Sequence, residues 1–139
     1  QDPEMVEDQV KSLVSVLRTY LLNKHNEFKK GTLSPEHNRL FGALFLPPQN
    51  VFSVMQSVVP HVDDDRPCFD SDRRPVDGSI FSHRPNRFCI SSFSLARKVH
   101  IKEIPAQATA LMLHEYSEWM GLSEDQAQVL QAKALVDLR

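Results

Sequence analysis

The chain has 139 residues, 41% of them hydrophobic, with a formal charge of −2. That is enough apolar content for one hydrophobic core and too much for a disordered chain. Basic residues are scattered apart from Lys29-Lys30 and Arg73-Arg74, so there is no electrostatic case for nucleic acid. No run approaches the ~20 apolar residues that span a bilayer. The expectation is one domain over residues 1–139, with residues 1–5 as a flexible lead-in.

The first residue is Gln1, not Met. A removed leader and a short extension ahead of a start at Met5 both fit. The two cysteines, Cys68 and Cys89, flank loop-like sequence. A bridge between them would close a loop of about 20 residues and stabilise the fold by about 3 kcal/mol. Both features favour an exported protein, periplasmic or secreted.

Residues 6–30 carry Val6, Val10, Leu13, Val14, Leu17, Leu21 and Phe28 at three- and four-residue steps, predicting one long amphipathic helix. Gly31 stops it, after Lys29 and Lys30 in the turn where cations suit the helix dipole. Ser34-Pro35-Glu36 starts a second helix, running to about Leu44 and ending before Pro47-Pro48. Asn50 starts a third, through Val58.

From Pro60 to about Ser79 periodicity is lost, and a long surface loop is expected. The run Asp63-Asp64-Asp65 lacks the spacing and glycine of a calcium loop and reads as a solvated acidic stretch. Runs 80–83 and 87–92 are expected to form a short hairpin, with Phe88 and Ile90 on one face and Cys89 on the other. Residues 93–100 form a short helix or turn. Ile104-Pro105 then opens a strongly helical, largely buried segment through Leu113. Ser123 and Gln126 make a capping box for a final helix carrying Ala127, Leu130, Ala134, Leu135 and Leu138. The fold class is α+β, mostly helical, with a small antiparallel or mixed sheet.

The chemistry is placed in residues 111–124. His114 and Glu118, four apart, share one helix face. Gly121 offers a left-handed helix end, and the turn there would carry Glu124 back to that face. One imidazole and two carboxylates are an adequate zinc set, and oxygen-rich ligation also admits manganese or calcium. The competing reading is a helical His114–Glu118 hydrogen bond, with Glu124 merely complementing the dipole of the last helix.

His114-Glu115-Tyr116-Ser117-Glu118 resembles the His-Glu-x-x-His helix of zincin metallopeptidases, with Glu at the second ligand position. Gly121 and Glu124 extend the likeness towards the metzincin pattern, which usually carries His at the third ligand. The resemblance covers about residues 87–127. It implies a minimal or degenerate zincin-like domain without a Met-turn, hydrolysing peptide bonds. His114, Glu118 and Glu124 would be metal ligands, Glu115 the general base, and the 88–91 run a strand beside the active helix. Two carboxylates and one histidine imply weaker Lewis acidity than a His-rich site. The alternative is an inactive zincin-like scaffold that binds a peptide or protein partner.

Other catalytic layouts are weaker. Cys89 with His83 or His100 imitates a thiol nucleophile and its base only if no disulfide forms. His61, His83 and His100 are further ligand candidates. Ser91-Ser92 lacks the Gly-x-Ser-x-Gly elbow, and four glycines form no phosphate loop.

Overall fold

The computed structural model describes residues 2–81 and 84–139. Among the described residues, seven α-helices and five short strands make a mostly helical α+β fold. Helix α1 is Pro3–Ser12, capped by the Asp2 side chain on the Glu4 amide, so residues 2–5 of the expected lead-in form the cap and first turn of a helix. Helix α2, Val14–Lys30, follows after a single non-helical residue, Leu13. The expected long helix is therefore two. The Ser12 hydroxyl donates to the Gln9 carbonyl at 2.7 Å and that of Ser15 to the Ser12 carbonyl at 3.1 Å. Such back-bonding competes with the helical ladder and bends it. Gly31, at φ 71°, ends α2.

Helices α3, Pro35–Phe45, and α4, Val51–Ser57, start on the Ser34 and Asn50 side chains as expected. Phe41, Phe45 and Phe52 stack in series beside α2. His25 joins them, its ring centroid 4.8 Å from that of Phe45, so it is half-buried rather than a free surface residue.

The supposed loop after Val58 contains strands. β1 is Val59–Asp63, β2 is Cys68–Phe69, β3 is Pro75–Val76 and β4 is Gly78–Ser79. β5, Arg87–Ser91, is the centre of a three-stranded sheet ordered β1-β5-β4. It pairs parallel with β1 (Val59 opposite Arg87) and antiparallel with β4 (Gly78 opposite Ile90). The hairpin partner of β5 is thus 78–79, not 80–83: Ile80 and Phe81 lie outside any strand, and residues 82 and 83 fall outside the described set. β2 and β3 form a separate antiparallel pair. Phe88 and Ile90 are fully buried on one face of β5, while Cys89 points the other way and is bonded to Cys68.

Helix α5 is Ser92–Lys98, and a 3-10 turn at Ile101–Glu103 leads into α6, Ile104–Trp119, and α7, Glu124–Leu138. α6 runs through the middle, touching α1, α2, α4, α7 and β4. Eleven of its 16 residues are buried, from Ile104 to Ser117. Burying each large apolar side chain contributes about 1.5–3 kcal/mol, so Met112, Leu113 and Tyr116 hold the helix more firmly than its propensity does. The Tyr116 hydroxyl donates to the Val58 carbonyl at 2.7 Å, and its ring meets Phe88 edge-on at 4.7 Å, fixing α6 to the end of α4 and to β5.

A polar clasp holds the far end of α7. Buried Lys24 of α2 reaches Asp137 at 2.9 Å, and the Tyr20 hydroxyl donates to the same carboxylate at 2.7 Å. The Lys24, Tyr20 and Lys133 hydrogen bonds hold Asp137 below its ordinary range against the opposing effect of burial. No helix among the described residues is long and apolar enough to cross a membrane.

Candidate metal centre

The site is built at the junction of α6 and α7. α6 ends in a left-handed turn: Gly121 has φ 96°, its amide donates to the Glu118 carbonyl at 2.9 Å, and the Leu122 amide to the Ser117 carbonyl at 3.0 Å. That pair of bonds is a Schellman motif, in which glycine takes the αL position cheaply. Two residues later Ser123 caps α7, with the reciprocal Gln126 bond completing a capping box. The reversal leaves Glu124, an exposed residue at the first position of α7, facing back towards His114.

His114 Nε2 lies 2.6 Å from Glu118 Oε1 and 3.0 Å from Glu124 Oε1. The structure therefore brings together His114, Glu118 and Glu124, and the adjacent Glu115 shares their cavity. Ligand atoms of His114, Glu115 and Glu118 all lie within 4.8 Å of one another. His114 and Glu115 are buried, whereas the Glu124 side chain is 69% exposed, so the set opens to solvent on the α7 side.

Glu115 is 2% exposed and its Oε2 has no hydrogen-bond partner among the described residues. Burial first, then the charges of Glu118 and Glu124, push its carboxyl up to about 9. The same crowding raises Glu118: burial and a hydrogen bond from Glu124 outweigh the lowering by His114. Negative charge is thus concentrated beyond what one imidazole offsets, a condition a cation relieves.

The fourth side of the cavity is β4. An ideal Cβ on Gly78 would lie 3.3 Å from Glu115 Cγ and 3.2 Å from Ile90 Cδ1. Any side chain there would push the strand away from Glu115. The cavity, about 540 Å³, continues between α7 and the β2–β3 turn, lined there by Asp70, Asp72 and Asp77. Neither the place of Asp77 in this wall nor the role of Gly78 as a close-packing residue has a local sequence signal. The pairing of β4 with β5 creates both.

The remaining candidates lie elsewhere. Cys89 is in the Cys68–Cys89 disulfide, so it offers no thiol. His100 caps the 3-10 turn and accepts from the Lys102 amide. His61 lines a second cavity of about 560 Å³ beside the disulfide. His83 lies outside the described residues. The Asp63–Asp65 carboxylates also cluster, but Asp63 is engaged by Arg66 at 3.1 Å and by the Asp65 amide at 3.0 Å.

No family model matches the chain, and no curated protein or solved structure proves similar to it.

The donor set suits a divalent ion. An imidazole nitrogen and carboxylate oxygens bind zinc at about 2.0–2.2 Å, and His114 and Glu118 already converge from one helix face. Behind the ring, His114 Nδ1 is buried without a partner. The acceptor that ordinarily orients a ligating imidazole is therefore not supplied by a described residue.

Proposed function

We propose that this protein is a zincin-like metalloprotein that hydrolyses peptide bonds. The observation that carries the reading is the convergence of His114, Glu118 and Glu124 on one point, with Glu115 buried beside it and unpartnered. His114, Glu118 and Glu124 hold the ion. Zinc is the first expectation, with manganese and calcium admitted by the oxygen-rich ligands. When bound, such an ion supplies Lewis acidity and lowers the pKa of water in the site.

Glu115 is the general base. A carboxyl that keeps its proton to about pH 9 without a cation is a poor ligand, since ligands must be deprotonated. With a cation bound beside it that pKa would fall, and the freed carboxylate would take a proton from water and return it to a leaving amine. β4 packs closely against Glu115 at Gly78. The disulfide supports an oxidising, exported setting.

A second reading, an inactive scaffold that binds a peptide or protein, is supported by the 2.6 Å contact between His114 and Glu118, which lets the two satisfy each other without an ion. The deciding test is elemental mass spectrometry on chelator-free protein after zinc, manganese or calcium supplementation. One equivalent in the parent and none in His114→Ala establishes the centre; none in either removes it. Glu115→Gln should then abolish hydrolysis of a peptide mixture while keeping the metal.

A further inference from the structure

The cavity of about 560 Å³ beside the disulfide lies on the outer face of the sheet. Successive residues of a strand point to opposite faces. The face of β1 and β5 opposite the buried Val62, Phe88 and Ile90 therefore carries His61 and Cys89, which stand side by side in register. These two form the cavity floor. The disulfide draws β2 over them, and Cys68 and Phe69 make one wall. Ile80 and Phe81 make the other. The Phe81 amide donates to the Ser79 hydroxyl at 3.1 Å, which ties that wall to β4.

The side chains say what would fill the space. Phe69 and Phe81 are 47% and 56% exposed, and they are the aromatic members of the exposed large apolar residues described. Both flank this one cavity. Exposed apolar groups gathered at a concave site, unlike scattered ones, mark a binding surface. The charged groups there are already engaged: Arg66 with Asp63 at 3.1 Å, and the Asp70 carboxylate with the Asp72 and Arg74 amides at 2.9 and 2.8 Å. An anionic guest would meet both aspartates, and a cationic one would compete with Arg66 for Asp63, so the cavity suits a neutral guest. Ile80 and Phe81 also line the cavity of the metal centre, so one two-residue partition separates the two spaces.

Taking the polypeptide ligand from the reading above, we propose that this cavity is a specificity pocket for an aromatic side chain, on a polypeptide whose backbone crosses the Ile80–Phe81 partition from the metal centre. Phe69 and Phe81 flank the guest ring, and the disulfide presents polarizable sulfur beneath it. Entry takes the guest ring and both phenylalanines out of water together, which favours a large apolar side chain over a small one.

The test reads binding, not turnover, so its outcome is separate from that of the hydrolysis assay. Zinc-supplemented Glu115→Gln protein is titrated into a dye-labelled heptapeptide of alternating glycine and serine with phenylalanine at its centre. A second titration uses the same peptide with alanine there, and fluorescence anisotropy reports both. The expected result is about tenfold tighter binding of the phenylalanine peptide, a ratio that salt leaves unchanged because no charge differs. Adding Phe69→Ser with Phe81→Ser should abolish that preference; both side chains are exposed, so the fold loses little packing. Adding Leu46→Ser with Val136→Ser, which removes exposed apolar surface away from the cavity, should leave it. Equal affinity for the two peptides, binding of neither, or a preference that survives the Phe69/Phe81 change or vanishes with the Leu46/Val136 change, overturns the proposal. So does a parent that sediments as a dimer and becomes monomeric with the Phe69/Phe81 change, since a second copy would then fill the cavity. Aromatic-selective binding with no hydrolysis by the parent would uphold the pocket and retire the peptidase reading alone; hydrolysis without that selectivity would do the reverse.

Discussion

His114 Nε2 and Glu124 Oε1 stand 3.0 Å apart although the helix that carries one has ended before the other begins. The intervening turn depends on Gly121 at φ 96°. Gly121→Ala should cost about 1–2 kcal/mol, the penalty of a left-handed alanine. It should also weaken metal binding by loosening Glu124. Gly31→Ala is the control: Gly31 also has positive φ, and a Cβ there meets nothing within 4 Å. It should show a similar loss in urea denaturation with unchanged metal affinity. Equal effects of both variants on the metal would detach the turn from the site.

Stability of the metal-free protein should depend on pH through Glu115. Its folded pKa is raised, so between the ordinary carboxylate range and about 9 the folded state holds a proton that the unfolded chain has released. Stability therefore falls as pH rises across that window, by up to about 1.4 kcal/mol per pH unit for one proton. Asp137 acts oppositely: its lowered pKa contributes stability above the unfolded value, lost as pH falls through the folded one. Urea midpoints at pH 5 and pH 8 should differ in the parent, lower at pH 8, and the gap should narrow in Glu115→Gln, the rest belonging to Glu118, whose carboxyl is also raised. A parent with flat midpoints would mean that Glu115 is not a buried acid.

Gly78→Ala places a methyl against Ile90, the Cys89 carbonyl and Glu115. Overpacking of this kind costs about 1–3 kcal/mol. The loss should be accompanied by impaired hydrolysis, because the displaced neighbour is the proposed base, Glu115. A neutral substitution in thermal melts would show that β4 sits further from α6 than described.

Replacing both cysteines by serine should lower stability by about 3 kcal/mol, the loop-closure value for a bridge whose cysteines are 21 residues apart. Because β2 is tied to β5 by that bond, the Asp70–Asp72 wall should loosen first. Hydrogen exchange in residues 68–77 should accelerate more than in α6; uniform acceleration would argue against a locally anchored arm.

What could be read from sequence was what is local. His114, Glu118, Gly121, Ser123 and Glu124 lie within one short stretch, and helix spacing, a glycine stop and a capping box suffice to bring them together. The break at Leu13 was hidden because the apolar steps run unbroken through it, while the cause is serine hydroxyls that periodicity ignores. β1 was missed because it holds Pro60 and pairs with a strand 28 positions later, Val59 opposite Arg87, with no local signal. β4 is two residues long, so the hairpin was placed on the more strand-like Ile80-Phe81 instead. Gly78 and the acidic wall came with it.

The clasp of Tyr20, Lys24 and Asp137 lies at the opposite end of α7 from Glu124. Thirteen residues of helix separate Asp137 from Glu124, roughly 20 Å at 1.5 Å per residue. A rigid rod of that length moves its tip by about 0.3 Å for each degree of tilt. Metal–ligand distances are held to about 0.2 Å. α7 thus behaves as a lever pivoting on the clasp with α2, and its moving tip is the end that carries Glu124. The reach of one carboxylate towards the centre is set by a lysine and a tyrosine on a helix that contributes no residue to the site.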